Sequence, residues 1–499
     1  MSESSKSLGY IWLIEHFSLP EQALSVTCYS SNASTINKEA SSHFYPRHYR
    51  PRADSIVGHL TFALKYEPLN LACLMEVFKQ PALKCELEGA LRVNPNSKYN
   101  RLLGFYFEWL TQKTIDSPSL SAGNYIDAVD ADLYYVAPCL RERKFRINNN
   151  LIGSGKLSAL LVRNENLVSN DELRELARKP LSSHSIMLLE RAVRYLIALE
   201  TKSSNEIEAE AISPSKQIKF MFALETINQD DLTKEKLIAT LNIIKDKHYQ
   251  ELDYRYQQNY LGKSGRGYAS IDYVPPKPSD AHELMDHWFN LRKQVLASDM
   301  PSIAKVAVLS SSFVYIHPFM DGNGRLSRYI MQDTLYRDNV IGQHYALPLS
   351  SGILKNIGDY YKVLSETSRQ IMKTVKFKML DDYSVTVIND TIDSYRHLRF
   401  DEHAQYLSDT SKKVAIELIP EELDRLLKFD QLMDHLSEAL DLPEKDIGLM
   451  TNLLISNQGT FSEKKRKGAL QHVHIGDLAL AESIYSDLHD NLDGDLTPR

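Results

Sequence analysis

Residues 317–328 read His-Pro-Phe-Met-Asp-Gly-Asn-Gly-Arg-Leu-Ser-Arg, so twelve positions combine one imidazole, one carboxylate, two glycines and two arginines. The run from Ile303 to Ile316 is apolar enough to predict a buried helix, and helical spacing resumes from Arg325 to Leu335. The stretch is therefore predicted to be a helix–loop–helix corner inside a helical region.

This corner has the composition of a phosphate site. Gly322 and Gly324 allow positive φ and close approach of the backbone, so successive N–H groups can face an anion at the start of the next helix. Arg325 and Arg328 are three residues apart on one helical face, and their donor forks suit phosphate oxygens. We expect the two arginines to hold the β and γ phosphates of a nucleotide.

Two further side chains of the corner predict chemistry. Asp321 offers the hard oxygen that Mg²⁺ uses when one carboxylate and substrate phosphates bind it together. His317, with an ordinary pKa of about 6.5, can take a proton from a hydroxyl near neutral pH. His317 is therefore the candidate general base and Asp321 the candidate metal ligand.

The stretch resembles the Fic family signature, His-Pro-Phe-x-Asp/Glu-Gly-Asn-Gly-Arg-x-x-Arg, with every specified position present. The resemblance implies transfer of AMP from ATP, with Mg²⁺, to a Ser, Thr or Tyr hydroxyl of a target protein. It also implies that Asn323 and the loop amides bind the α phosphate, and that pyrophosphate leaves on the arginines. The intact Gly-Asn-Gly-Arg core disfavours the Doc-like kinases of the wider superfamily.

A second segment, residues 262–276, runs from glycines through β-favouring residues to two prolines and predicts a short hairpin. It resembles the Fic flap, which pairs with an extended target segment by strand addition. A plain surface hairpin is the alternative. The residues that the resemblance assigns to target docking are Gly267, Tyr268, Ala269, Ser270, Ile271, Asp272 and Tyr273.

Residues 203–210, Ser-Ser-Asn-Glu-Ile-Glu-Ala-Glu, resemble the inhibitory helix of Fic proteins, whose pattern is Ser/Thr-x-x-x-Glu followed by Gly or Asn. Ser204 and Glu208 match that pattern and share one helical face, so Glu208 can reach Arg328 and occupy the fork meant for the γ phosphate. Ala209 departs from the pattern. The resemblance implies self-inhibition within one chain, and an exposed acidic helix face is the alternative.

Tyr360 and Tyr361 resemble the family's tyrosines beside the adenine, although an aromatic pair in a helix is also typical of a core. Two other functions stay open: removal of AMP from a modified protein, with Glu208 positioning water, and a DNA-binding regulator with a vestigial Fic core. Self-modification and a homodimer also stay open.

The composition is that of an ordinary globular protein, with 43% apolar and 25% charged residues and a net charge of −7. This acidic balance argues against a protein that coats nucleic acid. Two basic clusters, residues 46–52 and 464–467, are interpreted as solvated loops, so nucleic acid stays an open but disfavoured partner. No stretch approaches the ~18 apolar residues of a membrane helix, which predicts no membrane contact and a cytoplasmic location.

At 499 residues, with about 150 residues per domain, the chain is expected to form three domains. Patterning predicts a mixed α/β accessory domain over residues 1–165, a Fic catalytic domain with its inhibitory helix over 170–385, and a helical domain over 395–499. The predicted fold class is mainly α: an all-helical Fic core with a β-hairpin flap, between a small α+β domain and a small helical domain.

Overall fold

The computed structural model describes residues 6–20, 24–52, 54–118, 120, 123–179, 186–208, 214–228, 230–245, 250–265, 268–342 and 345–494. The chain divides into two compact units, Met1–Glu175 with Leu196–Lys412 and Leu176–Tyr195 with Lys413–Arg499. The three-domain division stays a prediction. Within the described ranges, no helix combines the length and apolar character needed to cross a bilayer.

The fold is mainly helical with small sheets, which confirms the predicted fold class. In chain order the helices are α1 (Gly9–Phe17), α2 (Ile56–Tyr66), α3 (Leu71–Phe78), α4 (Pro81–Val93), α5 (Lys98–Thr111), α6 (Asn170–Arg178), α7 (Ile186–Ile207), α8 (Pro214–Glu225), α9 (Lys234–Ile244), α10 (Pro278–Ala297), α11 (Ser302–Ile316), α12 (Asn323–Arg337), α13 (Leu349–Lys355), α14 (Ile357–Met372), α15 (Asp401–Lys413), α16 (Ile419–Ala439), α17 (Glu444–Ser456), α18 (Glu463–Arg466) and α19 (Ile475–Gly494).

The strands are short and form separate small sheets. In chain order they are β1 (Ser7–Leu8), β2 (Thr27–Ser31), β3 (Asn37–Lys38), β4 (Ser42–Pro46), β5 (Ile126–Asp127), β6 (Leu140–Glu142), β7 (Ile147–Asn149), β8 (Ile152–Ser154), β9 (Leu157–Ala159), β10 (Leu261–Gly265), β11 (Tyr268–Tyr273), β12 (Phe377–Met379) and β13 (Val385–Val387). The sheet orders are β1-β2-β4-β3 and β5-β7-β6, and β8-β9, β10-β11 and β12-β13 are two-stranded. β2/β4 and β5/β7 pair in parallel.

Helices α1 to α5 surround one apolar core in the first third of the chain. Side-chain caps set where two of these helices begin. The Ser55 hydroxyl accepts a hydrogen bond from the Gly58 N–H at 3.0 Å, and the Asn70 side-chain oxygen accepts one from the Cys73 N–H at 2.9 Å. Caps of this kind stabilise a helix by about 1 kcal/mol because they satisfy an orphan donor of the first turn.

Helix α10 holds the two helices of the predicted corner. Its Trp288 indole N–H donates to the Ser312 hydroxyl of α11 at 3.0 Å, and its Arg292 guanidinium donates to the Asp333 carboxylate of α12 at 2.7 Å. α11 itself is buried along almost its whole length. The corner therefore projects from a rigid, closely packed layer of helices.

In the second unit, α16, α17 and α19 pack around an apolar core that includes Leu436, Met450 and Leu454. Arg191 makes two hydrogen bonds of 2.6 Å to the Asp430 carboxylate within this unit.

Replacing Arg292 with leucine is expected to lower the free energy of unfolding by about 3 kcal/mol, because it leaves the buried Asp333 carboxylate without one of its cations. Urea denaturation followed by circular dichroism measures this loss. The matched control is Arg92→Leu, which breaks an ion pair whose partners are 59% and 69% exposed and should cost less than about 1 kcal/mol. Equal losses in the two variants would contradict the role given to Arg292.

Candidate active site

His317 lies where α11 ends. Its backbone is left-handed, with φ 51° and ψ 58°, and its N–H still donates to the Phe313 carbonyl at 3.0 Å. Pro318 follows directly and cannot continue the helix. The Nδ1 atom lies 3.2 Å from the Val314 carbonyl oxygen, which is an acceptor only. The neutral ring is therefore protonated at Nδ1, and Nε2 is the nitrogen that can accept a proton.

The pKa of His317 is well below the ordinary value that the sequence analysis assumed. Burial lowers it to about 4, and the Arg255 cation acts in the same direction, while the Val314 carbonyl and the Glu208 and Asp321 carboxylates oppose the shift. The imidazole is consequently neutral at neutral pH. A neutral imidazole is the form that a general base requires.

Arg255 fixes the position of the histidine, and the sequence analysis missed it. This arginine is only 2% exposed, and its Nε donates to the His317 carbonyl at 2.8 Å. Its backbone N–H donates to the Pro318 carbonyl at 2.8 Å, and one Nη donates to the Pro276 carbonyl behind the hairpin. Burial lowers the pKa of Arg255 to about 10. No motif or spacing marks this residue, because all these partners are distant in sequence or are backbone atoms.

The loop between α11 and α12 is shaped by its own side chains. The Asn323 amide oxygen accepts from the Phe319 N–H at 3.0 Å, and the amide nitrogen donates to the Phe319 carbonyl at 2.8 Å. Phe319 is fully buried and anchors this clasp. Gly322 has φ +87°, and a β-carbon there would lie 2.5 Å from Leu241. The Asn323 side chain is used within the loop, and its contact with an α phosphate stays a prediction.

The structure brings Ser204, Glu208 and Arg328 together. Arg328 is 1% exposed, and its Nε donates to the Ser204 hydroxyl at 2.5 Å. One Nη donates to the Ser204 carbonyl at 2.9 Å and to the Glu208 carboxylate at 2.7 Å. Glu208 stands one residue beyond the end of α7, and Ala209 lies outside the described residues.

The Glu208 carboxylate also lies directly against Gly324, in the first turn of α12. A β-carbon built on Gly324 would be 1.9 Å from the Glu208 Oε1 atom. The carboxylate therefore occupies space beside the very backbone that was predicted to cradle phosphates. Any residue other than glycine at position 324 would collide with it.

Helix α7 is held by buried polar contacts one and two turns before Glu208. The Glu200 carboxylate accepts from the Ser350 N–H at 2.8 Å and from the Ser350 hydroxyl at 2.6 Å, and the Ser203 and Ser351 hydroxyls are 2.8 Å apart. Glu200 is 1% exposed, and burial raises its pKa to about 7. Glu200, Ser204 and Glu208 follow four-residue spacing, so one face of α7 carries the whole contact.

Asp321 is the most exposed charged group of the corner, with 59% of its side chain accessible. Its Oδ2 lies 3.4 Å from Arg325 Nη2 and 3.8 Å from Lys245 Nζ. Among the residues that the structure describes, no group of three or more His, Cys, Asp or Glu could hold a metal. A single accessible carboxylate oxygen beside a phosphate cradle fits Mg²⁺ bound by Asp321 together with nucleotide phosphates.

The predicted hairpin is present as β10 and β11, paired antiparallel from Leu261↔Tyr273 to Gly265↔Tyr268. Ser270 and Asp272 are exposed, and Ile271 is half-buried. Tyr273 is buried, and its hydroxyl donates to the Tyr315 carbonyl of α11 at 2.6 Å, so it anchors the hairpin beside the corner. Gly267 lies outside the described residues.

Tyr360 and Tyr361 lie on α14 and differ in environment. Burial raises the pKa of Tyr360 to about 12, and its ring lies 6.0 Å from that of Tyr406. Tyr361 is 52% exposed. Both the core and the nucleotide interpretation are compatible with this placement, and the assignment to the adenine stays a prediction.

Comparison with known proteins finds a family match that includes the corner. Residues 231–335 match the Fic/DOC family. The protein adenylyltransferase Fic of Drosophila virilis is 31% identical over 152 residues, which cover 28% of each chain, and that of Aedes aegypti is 32% identical over 127 residues, covering 23% of each. The chain thus spans 28% of the length of the first relative and 23% of the length of the second.

Among solved structures, a Fic family protein from Desulfovibrio desulfuricans G20 aligns with 62% of this chain and 88% of its own, at 14% identity and a TM-score of 0.37.

Stability should fall with rising pH because of Glu200. Its pKa is near 4.5 when unfolded and about 7 when folded, so its stabilisation is complete below pH 4.5 and is lost as the pH rises through 7. Replacing Glu200 with glutamine removes this titration. Urea denaturation at pH 5 and pH 8 should show a wild-type decline larger than that of the variant by on the order of 3 kcal/mol. Parallel pH profiles for the two proteins would refute the assignment.

Proposed function

We propose that this chain is a protein adenylyltransferase, which transfers AMP from Mg-ATP to a Ser, Thr or Tyr hydroxyl of a target protein. The observation that carries the proposal is the corner at residues 317–328, where a neutral imidazole stands beside a glycine loop and two buried arginines. The relatives from Drosophila virilis and Aedes aegypti are protein adenylyltransferases, which supports the same activity.

In the proposed reaction, His317 Nε2 takes the proton of the target hydroxyl, and the hydroxyl oxygen forms a bond to the α phosphorus of ATP. The bond from that phosphorus to the bridging oxygen breaks, and pyrophosphate leaves. Arg325 and Arg328 bind the leaving phosphates through their donor forks. Magnesium held by Asp321 and the phosphates would neutralise part of their charge.

The target hydroxyl reaches His317 by strand addition to the hairpin in this proposal. Tyr273 ties the hairpin to α11, and Arg255 ties the segment after it to the His317 backbone. The docking strand and the base therefore keep a constant separation. This arrangement orients the nucleophile before reaction. Such orientation supplies a large part of the rate enhancement in phosphoryl transfer.

The proposal includes self-inhibition by Glu208. Its carboxylate takes one donor of the Arg328 fork at 2.7 Å and lies against Gly324, where the terminal phosphate would enter. ATP bound beside that carboxylate would meet charge repulsion and lack one arginine donor. The α phosphorus would then be misplaced relative to His317.

One observation favours a second candidate, removal of AMP from a modified protein. The Glu208 side chain is 35% exposed and its charge acts on the pKa of His317, so the carboxylate can also position a water near the base. In that reaction water attacks the phosphorus, the protein hydroxyl leaves with a proton, and AMP is released.

Incubation with magnesium and ATP labelled at the α or the γ position tests the reaction class. Label should pass to protein from the α position only, and His317→Ala should lower the rate about 10²-fold or more because the base is lost. The matched control is His472→Ala, which changes an exposed histidine of the second unit and should label as the wild type does. Transfer of label from the γ position would indicate a kinase and would contradict the proposal.

Replacing Glu208 with glycine should raise α labelling about tenfold or more, since it frees a charged hydrogen bond of Arg328 for phosphate. Initial rates of labelling measure the change. Glu206→Gly is the matched control, because Glu206 lies on the same helix but pairs only loosely with Lys202 at 3.9 Å. If Glu208→Gly instead abolishes release of AMP from a modified protein, the second candidate is supported and self-inhibition is wrong.

A further inference from the structure

Lys245 places a nearly buried ammonium beside the candidate metal ligand. It follows α9 directly and is 6% exposed. Its Nζ lies 2.8 Å from the Glu251 carboxylate and 3.8 Å from Asp321 Oδ2. Neither the family signature nor the reaction described above assigns any role to this lysine.

Hydrogen bonds to α9 fix both the backbone of Lys245 and the backbone of its partner Glu251. The Lys245 N–H donates to the Leu241 carbonyl at 2.8 Å, which ties the residue to α9. The Glu251 N–H donates to the Asn242 side-chain oxygen at 2.8 Å, and the Asn242 amide donates back to the Glu251 carbonyl at 2.7 Å. The carboxylate that pairs with Lys245 is thus clasped to the same helix.

The Asp321 carboxylate therefore faces two cations. Arg325 Nη2 lies 3.4 Å from Oδ2, and Lys245 Nζ lies 3.8 Å from the same atom. A divalent cation that approaches this oxygen meets one ligating carboxylate and two neighbouring cations, of which Lys245 is paired more closely with Glu251, so binding without nucleotide is disfavoured. Nucleotide phosphates add several negative charges at the same place, so the net electrostatic effect on the divalent cation becomes attractive.

We propose that Lys245 is a positioning residue that makes divalent-cation binding at Asp321 depend on bound nucleotide. This role of Lys245 rests on the proposed function. Without nucleotide, the ammonium pairs with Glu251 and also places positive charge 3.8 Å from Asp321 Oδ2. When phosphates and the metal enter together, the ammonium keeps its 2.8 Å partner Glu251, so no buried charge is left unpaired. The metal consequently enters with the nucleotide and not before it.

Mn²⁺ is a suitable probe, because its free and bound forms differ in the electron paramagnetic resonance spectrum. Titrations without nucleotide and with ADP give the two dissociation constants, and their ratio measures the coupling. Lys245→Met should tighten nucleotide-free binding about tenfold and shrink the ratio accordingly, as expected for removing one charge some 4 Å from the ligand oxygen. Lys245→Arg retains the charge and should keep the wild-type ratio.

Two further variants serve as controls for this experiment. Asp321→Asn should abolish the bound fraction and leave the signal of free Mn²⁺, which shows that the titration reports this site. The double variant Lys245→Met with Glu251→Gln removes the pair without leaving an extra carboxylate, and it should retain the tighter nucleotide-free binding. Thermal unfolding midpoints confirm that each variant is folded.

Unchanged or weaker nucleotide-free binding in a folded double variant would overturn the inference, as would loss of coupling in Lys245→Arg. This readout is a binding constant, so it is independent of AMP transfer. Failure of the α-label experiment with intact Lys245 coupling would remove the proposed reaction but leave the coupling standing. If α label is transferred but the Lys245 variants do not change Mn²⁺ binding as expected, only the role of Lys245 is refuted.

Discussion

The buried guanidinium of Arg328 is the constraint on which the site depends. A cation that is 1% exposed requires an anion, since an unpaired buried charge costs several kcal/mol. Here the oxygens of Ser204, on α7, and of Glu208, one residue beyond the end of α7, satisfy it. The contacts of Glu200 and Ser203 hold α7 in the place that makes this pairing possible. Nucleotide binding in the proposed function is then an exchange of one anion for another.

Backbone contacts set the position of His317, and burial sets its protonation state. The left-handed turn at His317 is uncommon for a residue with a β-carbon, and it persists because Arg255, Val314 and Phe313 determine the backbone and the ring together. Burial keeps the ring neutral. The loop that follows His317 is shaped by the two hydrogen bonds between Asn323 and Phe319.

The sequence predicts features whose signal is local. The corner follows from glycines and arginines at short spacing, the hairpin from glycines and prolines, and the Glu208–Arg328 contact from a four-residue pattern together with a resemblance. Arg255 and Lys245 could not be predicted, because their partners are backbone carbonyls or charges brought near by folding. The hairpin β12–β13 was also missed.

Gly324 carries a consequence beyond its conformational freedom. Because a β-carbon there would lie 1.9 Å from the Glu208 carboxylate, the missing side chain is what makes room for that carboxylate. In the proposed function, the terminal phosphate of ATP would need the same volume, so the carboxylate and the phosphate would exclude each other by size as well as by charge. Such inhibition would act at the site itself and would require no conformational change elsewhere in the chain.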